Sequence, residues 1–246
     1  MPRERICSFV SCFIRSRKPS VNDAWKAVYE LLLWYSRVDR ETLPHIIEIN
    51  MMRRGLWRDR AKLFEDHISK ELGYAKRQLP YRVDSLIRGL GLQDRQRQNY
   101  LGIGFVCTVK ELVKRFVGYD PLMEVDVEDL KGFEDVRRYP RRRADLVLLN
   151  ERDFRVLLST KWSLRHDRLK DLLNEAEFYK RRRPELMVLV VTNEFMSSRL
   201  ARVAENGNID YVIHVNRKLV EKIIGRTVDE KIKDLSEMPE IVKKRL

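Results

Sequence analysis

Asp145 and Lys161 are the residues whose types and spacing most clearly suggest chemistry. Asp145 lies at the start of one short apolar segment, and Lys161 ends the next, in Leu158-Ser159-Thr160-Lys161. Adjacent strands would place this acid and lysine side by side at their ends, where loops leave room for a phosphate. Hydrolysis of a phosphodiester needs a divalent cation, an oriented water and stabilisation of charge on the phosphoryl oxygens. Carboxylates suit Mg²⁺, and a neighbouring lysine can orient or activate the water.

A second carboxylate is needed, because a single one holds a catalytic Mg²⁺ poorly. Position 159, where many nucleases carry an acid, is Ser159, and the segment that follows offers Glu175 and Glu177. At about 100° per residue, Glu175 lies within about 20° of Arg168, whereas Glu177 points about 160° away from Glu175. The helical geometry therefore favours Glu175, on the side that could face DNA.

The segment after Lys161 carries groups that can distinguish base pairs. Arg165 and Arg168 can each donate two hydrogen bonds to guanine O6 and N7, and Asp167 can accept one from cytosine N4. Each correct contact discriminates by roughly 1–3 kcal/mol. Two arginines and an acid on one helical turn indicate recognition of adjacent G·C pairs, with His166 in a supporting or phosphate-contacting role. A solvated charged face is the alternative interpretation of the same residues.

Four segments together resemble the type II restriction endonucleases of the PD-(D/E)XK superfamily that cut CCGG-containing or interrupted CC/GG sites. These segments are Arg143-Ala144-Asp145, Ser159-Thr160-Lys161, Arg165-His166-Asp167-Arg168 and Glu175. In that group the second metal-binding carboxylate is displaced from the strand to the following helix, and Ser takes its place. The group also carries an Arg-x-(Asp/Glu)-Arg recognition motif starting four residues after the catalytic lysine, where Arg165 stands here.

The resemblance implies a role for each site residue. Asp145 and Glu175 are expected to bind Mg²⁺, with the Thr160 backbone carbonyl as a further ligand, and Lys161 is expected to orient or activate the attacking water. Ser159 occupies the position vacated by the displaced acid. The expected reaction is hydrolysis of double-stranded DNA at a short palindrome, which leaves 5′-phosphate ends. Two equivalent active sites on a palindrome imply a homodimer or a tetramer, with a cognate DNA methyltransferase as its genetic partner.

A further element of the resemblance lies in the N-terminal half. Arg60-Ala61-Lys62-Leu63-Phe64-Glu65 resembles a helix whose glutamate often completes the site of this group, so Glu65 is a candidate catalytic residue. Two positions depart from the pattern: Ala144 replaces the nominal proline, and His166 fills a slot usually held by a smaller residue. The second departure leaves the target sequence open.

Composition limits the class of protein and partner. The 246 residues include 50 Lys and Arg against 37 Asp and Glu, a net charge of +13, which predicts a polyanionic partner, with nucleic acid favoured over a membrane surface. No apolar stretch approaches about 18 residues, so no membrane-spanning segment is predicted. Three cysteines, Cys7, Cys12 and Cys107, predict reduced thiols in a cytoplasmic protein. The 35% of charged residues is also typical of heat-stable proteins.

The pattern of apolar residues predicts an α/β fold whose N-terminal half is largely helical. The resemblance makes the expected core a PD-(D/E)XK nuclease-like central mixed β-sheet flanked by helices. Residues 1–118 are predicted to form a mainly helical region for dimerisation or DNA contacts, and 119–246 the catalytic and recognition core, in one compact unit. The predicted core strands are Met123–Val127, Asp145–Leu149, Val156–Thr160, Leu186–Thr192 and Tyr211–Val215, with helices over Leu164–Lys180 and Phe195–Ala204.

Two other functions stay open at this point. A structure-selective repair nuclease or junction resolvase on the same core explains the basic charge and the Asp–Lys pair equally well, but not the recognition motif beside the displaced Glu. A non-catalytic nucleic-acid-binding protein explains the charge alone. The sequence leaves undecided the exact site, dimer against tetramer, the number of metal ions and whether any base is flipped.

Overall fold

The computed structural model describes residues 3–36, 94–136, 142–150, 153–164, 166–225 and 227–246. The chain divides into two compact units, one formed by residues 1–15 and 22–108 and the other by residues 16–21 and 109–246. Glu65, with the helix predicted around it, and Arg165 lie outside the described residues. No described helix is both long and apolar enough to cross a bilayer.

The described part of the N-terminal half is helical, as predicted. It contains α1 (Arg3–Ser11), α2 (Val21–Ser36) and α3 (Asp94–Val117), of which α3 continues into the second unit. The first unit buries apolar side chains at helical spacing on α2 and α3: Ala24, Trp25, Val28, Leu31 and Phe105. Gly104 lies so close to the Leu31 side chain that a Cβ atom would collide with it. This close approach accounts for a glycine inside α3.

Cys7 and Cys107 form a disulfide, so the expectation of three reduced thiols is wrong for these two residues. Helices α1 and α3 bring their Cα atoms to 4.7 Å. The bonded positions are 100 residues apart in the sequence, so no local spacing indicates the pair, and only the packing of the helices creates it. Cys12 is exposed and carries a free thiol.

We expect reduction of the disulfide to lower the free energy of unfolding by about 2–4 kcal/mol, because the bond restricts the unfolded chain between distant positions. Thermal unfolding followed by circular dichroism, with and without dithiothreitol, measures the effect. The double variant Cys7→Ser/Cys107→Ser should be equally destabilised and insensitive to dithiothreitol, whereas Cys12→Ser should behave as the wild type. An unchanged melting temperature on reduction would contradict a stabilising role.

The second unit is built on a six-stranded mixed sheet in the sequential order β1 to β6. β1, β2 and β3 pair antiparallel, and β3, β4, β5 and β6 pair parallel. The predicted α/β class with a central mixed sheet flanked by helices is confirmed. The strands are Leu122–Asp126, Arg143–Asn150, Asp153–Lys161, Met187–Thr192, Tyr211–His214 and Ile232–Asp234.

Four helices accompany the sheet in the described part of the second unit. They are α4 (His166–Arg182), α5 (Ser197–Ala204), α6 (Arg217–Ile224) and α7 (Met238–Lys243). The sequence predicts no strand after Tyr211–Val215, whereas β6 lies between α6 and α7. β6 has only three residues, which is too short for a recognisable alternation.

Two features of the second unit limit where polar side chains can lie. β4 is a continuous apolar run between two neighbouring strands, and all its residues after Met187 are buried. α4 crosses from β3 to the parallel strand β4 and buries a stripe at helical spacing, formed by Leu169, Leu172, Ala176 and Tyr179. Polar residues are therefore confined to the strand ends and to the outer face of α4.

Candidate active site

Asp145 lies at the centre of the candidate site and accepts three hydrogen bonds on one oxygen. Its Oδ2 atom is 2.7 Å from Lys161 Nζ, 2.8 Å from the Thr160 amide nitrogen and 3.4 Å from Ser159 Oγ. The register explains this convergence. Leu146 of β2 faces Leu158 of β3 in an antiparallel pair, so Asp145 and Ser159 occupy the next facing positions. Lys161 lies two residues further along β3, on the same face of the sheet.

The second oxygen of Asp145, Oδ1, has no hydrogen-bond partner among the described residues. The Asp145 and Lys161 side chains are 25% and 22% exposed, so the pair is open to solvent. The carboxylate is thus held in place through Oδ2 and keeps Oδ1 available for another ligand.

Glu175, on α4, belongs to the same electrostatic environment as this pair. Much of its side chain is exposed, yet the surrounding protein displaces water from the carboxyl group, and this partial desolvation raises its pKa. The charge of Lys161 acts against this rise, Asp145 and Asp171 add to it, and Arg142 opposes it. Lys161 and Asp145 are the strongest charges acting on Glu175, so its carboxyl group lies within electrostatic range of the Asp145–Lys161 pair.

The oxygen atoms of this site fit a magnesium ion better than a softer metal. The described residues contain no group of three or more His, Cys, Asp or Glu side chains that could hold a metal. Mg²⁺ is commonly bound by one or two carboxylates together with waters and substrate phosphates, and Asp145 and Glu175 supply two. The Thr160 amide points towards Asp145. Because the amide and carbonyl of one strand residue point the same way, the Thr160 carbonyl lies on that side too.

Three of the four predicted recognition positions, residues 166–168, form the first turn of α4, which follows β3. His166 and Arg168 are exposed in the first turn of this helix. The side chain of Asp167, like all of Arg165, lies outside what the structure describes. Only four residues, 162–165, separate the candidate catalytic lysine from this turn, and the structure describes 162–164 of them.

Glu194 is a residue that the sequence analysis missed. It is fully buried just beyond β4, and its Oε2 atom accepts hydrogen bonds from the Leu164 amide at 2.9 Å and from Arg199 at 3.3 Å. Its Oε1 atom accepts one from the Met196 amide at 2.9 Å. Glu194 therefore ties the 162–164 loop to the end of β4. The signal in the sequence is a polar Thr192-Asn193-Glu194 directly after a buried apolar strand.

His214, at the end of β5, holds the backbone of Glu194. Its Nδ1 atom lies 2.9 Å from the Asn216 amide, and its Nε2 atom lies 2.7 Å from the Glu194 carbonyl oxygen. An amide can only donate and a carbonyl can only accept, so Nδ1 is unprotonated and Nε2 carries the hydrogen. This buried histidine is therefore neutral, with a structural role.

We expect Glu175→Gln to raise the melting temperature of the metal-free protein at pH 8. A raised carboxyl pKa means that the folded state binds the proton more tightly than the unfolded chain does, so the charge on Glu175 destabilises the fold above the ordinary glutamate value of 4.5. The gain in melting temperature should shrink as the pH falls towards 4.5, because Glu175 then becomes protonated and neutral, like the glutamine that replaces it.

Thermal melts in EDTA between pH 4.5 and pH 8 measure this difference. Glu177→Gln, at an exposed position of the same helix, is the matched control and should leave the melting temperature close to that of the wild type. The difference in melting temperature between Glu175→Gln and the wild type is compared at the two pH values. A difference that is less favourable to the variant at pH 8 than at pH 4.5 would contradict a raised pKa of Glu175.

Comparisons with known proteins give similarity to solved structures only. No family model matches the chain, and no curated protein matches it. The chain is similar to a restriction endonuclease PspGI–substrate DNA complex, with 14% identity and a TM-score of 0.49 over 93% of both chains. It is also similar to metal-depleted Ecl18kI in complex with uncleaved, modified DNA and with uncleaved DNA. Each of these has 16% identity over 99% of this chain and 84% of that one, with TM-scores of 0.42 and 0.41.

Proposed function

We propose that this protein is a Mg²⁺-dependent type II site-specific deoxyribonuclease. Its substrate is double-stranded DNA with a short palindromic G/C-containing site, CCGG-like or CC(N)GG-like. The observation that carries the proposal is the convergence of Lys161, Thr160 and Ser159 on one oxygen of Asp145. Glu175 lies within electrostatic range of this pair, and the candidate recognition motif follows Lys161 closely in the sequence.

Each residue has a defined task in the proposed reaction. Asp145, through Oδ1, Glu175 and the Thr160 carbonyl would hold the magnesium ion, which polarises a phosphoryl oxygen and acidifies a bound water. The Lys161 ammonium is fixed by its 2.7 Å contact with Asp145. From there it donates a hydrogen bond that orients the attacking water in line with the scissile bond. In-line attack leaves 5′-phosphate and 3′-hydroxyl ends. Glu65 would assist a second metal or hold Lys161.

Recognition would come from the first turn of α4. Arg165 and Arg168 would read guanines, and Asp167 a cytosine, in the major groove, with His166 supporting them. A palindromic duplex presents two equivalent half-sites, so two copies of the chain related by a twofold axis would act together. The net charge of +13 favours the approach to DNA, and a cognate methyltransferase would protect the same site.

Digestion of a long, sequenced, unmethylated duplex tests the proposal directly. The purified protein is incubated with Mg²⁺ or with EDTA, and the ends of the fragments are sequenced. Discrete Mg²⁺-dependent ends that share a short palindrome with CC and GG halves would support the activity and identify the target. Ends governed by branch structure would favour a repair nuclease, and binding without cleavage by folded protein would favour a binding protein.

We expect Lys161→Ala and Asp145→Asn to lower the cleavage rate by about 10²–10⁴-fold while leaving specific binding largely intact, because both residues act on the reacting groups. Single-turnover cleavage at saturating enzyme and gel-shift titration in EDTA separate the two effects. Lys218→Ala removes the same charge at an exposed position on α6 and should cleave like the wild type. Loss of binding in both folded variants would count against these roles.

We expect Arg168→Ala to weaken discrimination at one G·C pair by roughly 1–3 kcal/mol, because a bidentate contact with guanine is lost. Competition binding between the cognate site and single-base variants measures this. Lys170→Ala is the control, since Lys170 is exposed on the same helix and should change affinity equally for every sequence. Unchanged specificity in Arg168→Ala would remove this residue from recognition.

A further inference from the structure

Two arginine runs, 141–143 and 181–183, lie on the elements that carry the candidate site. The structure distinguishes their guanidinium groups by the partners they meet. Arg143 is 3.0 Å from Asp126 and 3.5 Å from Glu124 on the neighbouring strand β1. This arginine neutralises acids of the protein itself and has a structural role.

Two of the three arginines at the end of α4, Arg182 and Arg183, are engaged in the same way. Arg182 pairs with Asp135 through both of its terminal nitrogens. Arg183 lies 3.2 Å from Asp153 and also pairs with Glu185. Its remaining donors contact the backbone carbonyls of Lys131 at 2.7 Å and Phe154 at 3.2 Å. These two arginines fix the turn before β4 to the rest of the unit.

Arg142 differs from these residues. Its guanidinium carbon lies 4.3 Å from the centroid of the Phe178 ring, and in the described part of the chain no carboxylate pairs with it. Its backbone carbonyl accepts a hydrogen bond from the Val127 amide at 3.1 Å, which fixes the chain at the start of β2. The side chain is exposed, so its charge is available to a partner from outside.

The position of Arg142 is next to the catalytic carboxylates. Phe178 lies one helical turn after Glu175 on α4, so the Arg142 guanidinium over the Phe178 ring is within electrostatic range of Glu175. Arg142 accordingly exerts an electrostatic effect on Glu175 and on the buried Tyr179, whose pKa it lowers against the rise caused by desolvation, Glu175 and Asp145.

We propose that Arg142 binds the DNA phosphate that enters the catalytic centre, an inference that rests on the proposed nuclease function. A phosphate beside Asp145 and Glu175 meets two negative groups and needs positive charge. The ammonium of Lys161 is already engaged by Asp145. The cation–π contact with the Phe178 ring restricts the position of the guanidinium group without engaging a carboxylate. The N–H edge is left to form a bidentate contact with phosphate oxygens.

The test compares Arg142→Ala with the wild type on the duplex site found by digestion. The plot of log K against log[salt] has a negative slope. Removal of one phosphate contact should make this slope shallower by about 0.9. The single-turnover cleavage rate should fall on the order of 10²-fold, as when one preorganised donor is removed. Because a phosphate carries no sequence information, the ratio of affinities for cognate and single-base variant sites should stay the same.

Two further variants sharpen the comparison. Arg142→Lys should keep the salt slope and recover only part of the rate, because an ammonium cannot make the bidentate contact. Arg182→Ala removes a guanidinium whose carbon is 5.4 Å from the centre of the same Phe178 ring but which is paired with Asp135. Its slope and rate should match the wild type. If Arg142→Ala fails to fold, Arg142→Gln removes the charge while keeping a planar group over the ring.

Three outcomes would overturn the inference. A folded Arg142→Ala or Arg142→Gln variant with wild-type slope and rate would show that no phosphate contact is made there. A collapse of discrimination between sites would identify Arg142 as a base-reading residue instead. A wild-type protein that neither binds nor cleaves duplex DNA would contradict the proposed function, and this inference with it. An active wild type with unaffected Arg142 variants would contradict this inference alone.

Discussion

The contact between Lys161 and Asp145 is the interaction on which the rest of the site depends. It exists because β2 and β3 pair antiparallel in a register that puts Asp145 opposite Ser159, and because alternate residues of a strand share a face. A slip of one residue would turn Lys161 to the other face of the sheet. The register is secured by the apolar residues of both strands, since almost all of their side chains next to the site are buried. Core packing thus positions a polar pair that contributes little to the core.

The same packing links this pair to α4. Only four residues, 162–165, separate the end of β3 from the start of α4 with its candidate recognition turn. Glu194, just after β4, accepts a hydrogen bond from the amide of Leu164. Buried His214, at the end of β5, in turn contacts the Glu194 carbonyl. The ends of these two parallel strands therefore restrain Leu164. A shift of the first turn of α4 on a bound base would be transmitted to Lys161 through a segment that has little freedom to absorb it. We therefore expect base recognition at this turn to be coupled to the position of Lys161.

The sequence predicted the parts of the molecule that depend on local patterns. Five strands and the helix after Lys161 were indicated by apolar periodicity, because alternation and continuous apolar runs are short-range signals. The disulfide joins positions 100 residues apart, so it has no local signature. Glu194 ends a polar stretch at a buried apolar strand, but its hydrogen bond with the Leu164 amide depends on a distant part of the chain. β6 was missed because three residues carry no periodicity. Glu65 and Arg165 lie outside the described residues, and their roles stay predictions.

The net charge of the chain does not show which arginines are available to a partner. A value of +13 predicts a polyanionic partner but gives equal weight to every arginine. In the structure Arg143, Arg182 and Arg183 are matched by acids of the same unit, so they add to the total without being available to DNA. Arg142 is held by an aromatic ring instead, which orients the cation without neutralising it. The positive charge that matters at a nuclease site is the fraction that the fold leaves uncompensated next to the carboxylates. The size of that fraction depends on how the side chains pack, so it cannot be obtained by counting charged residues.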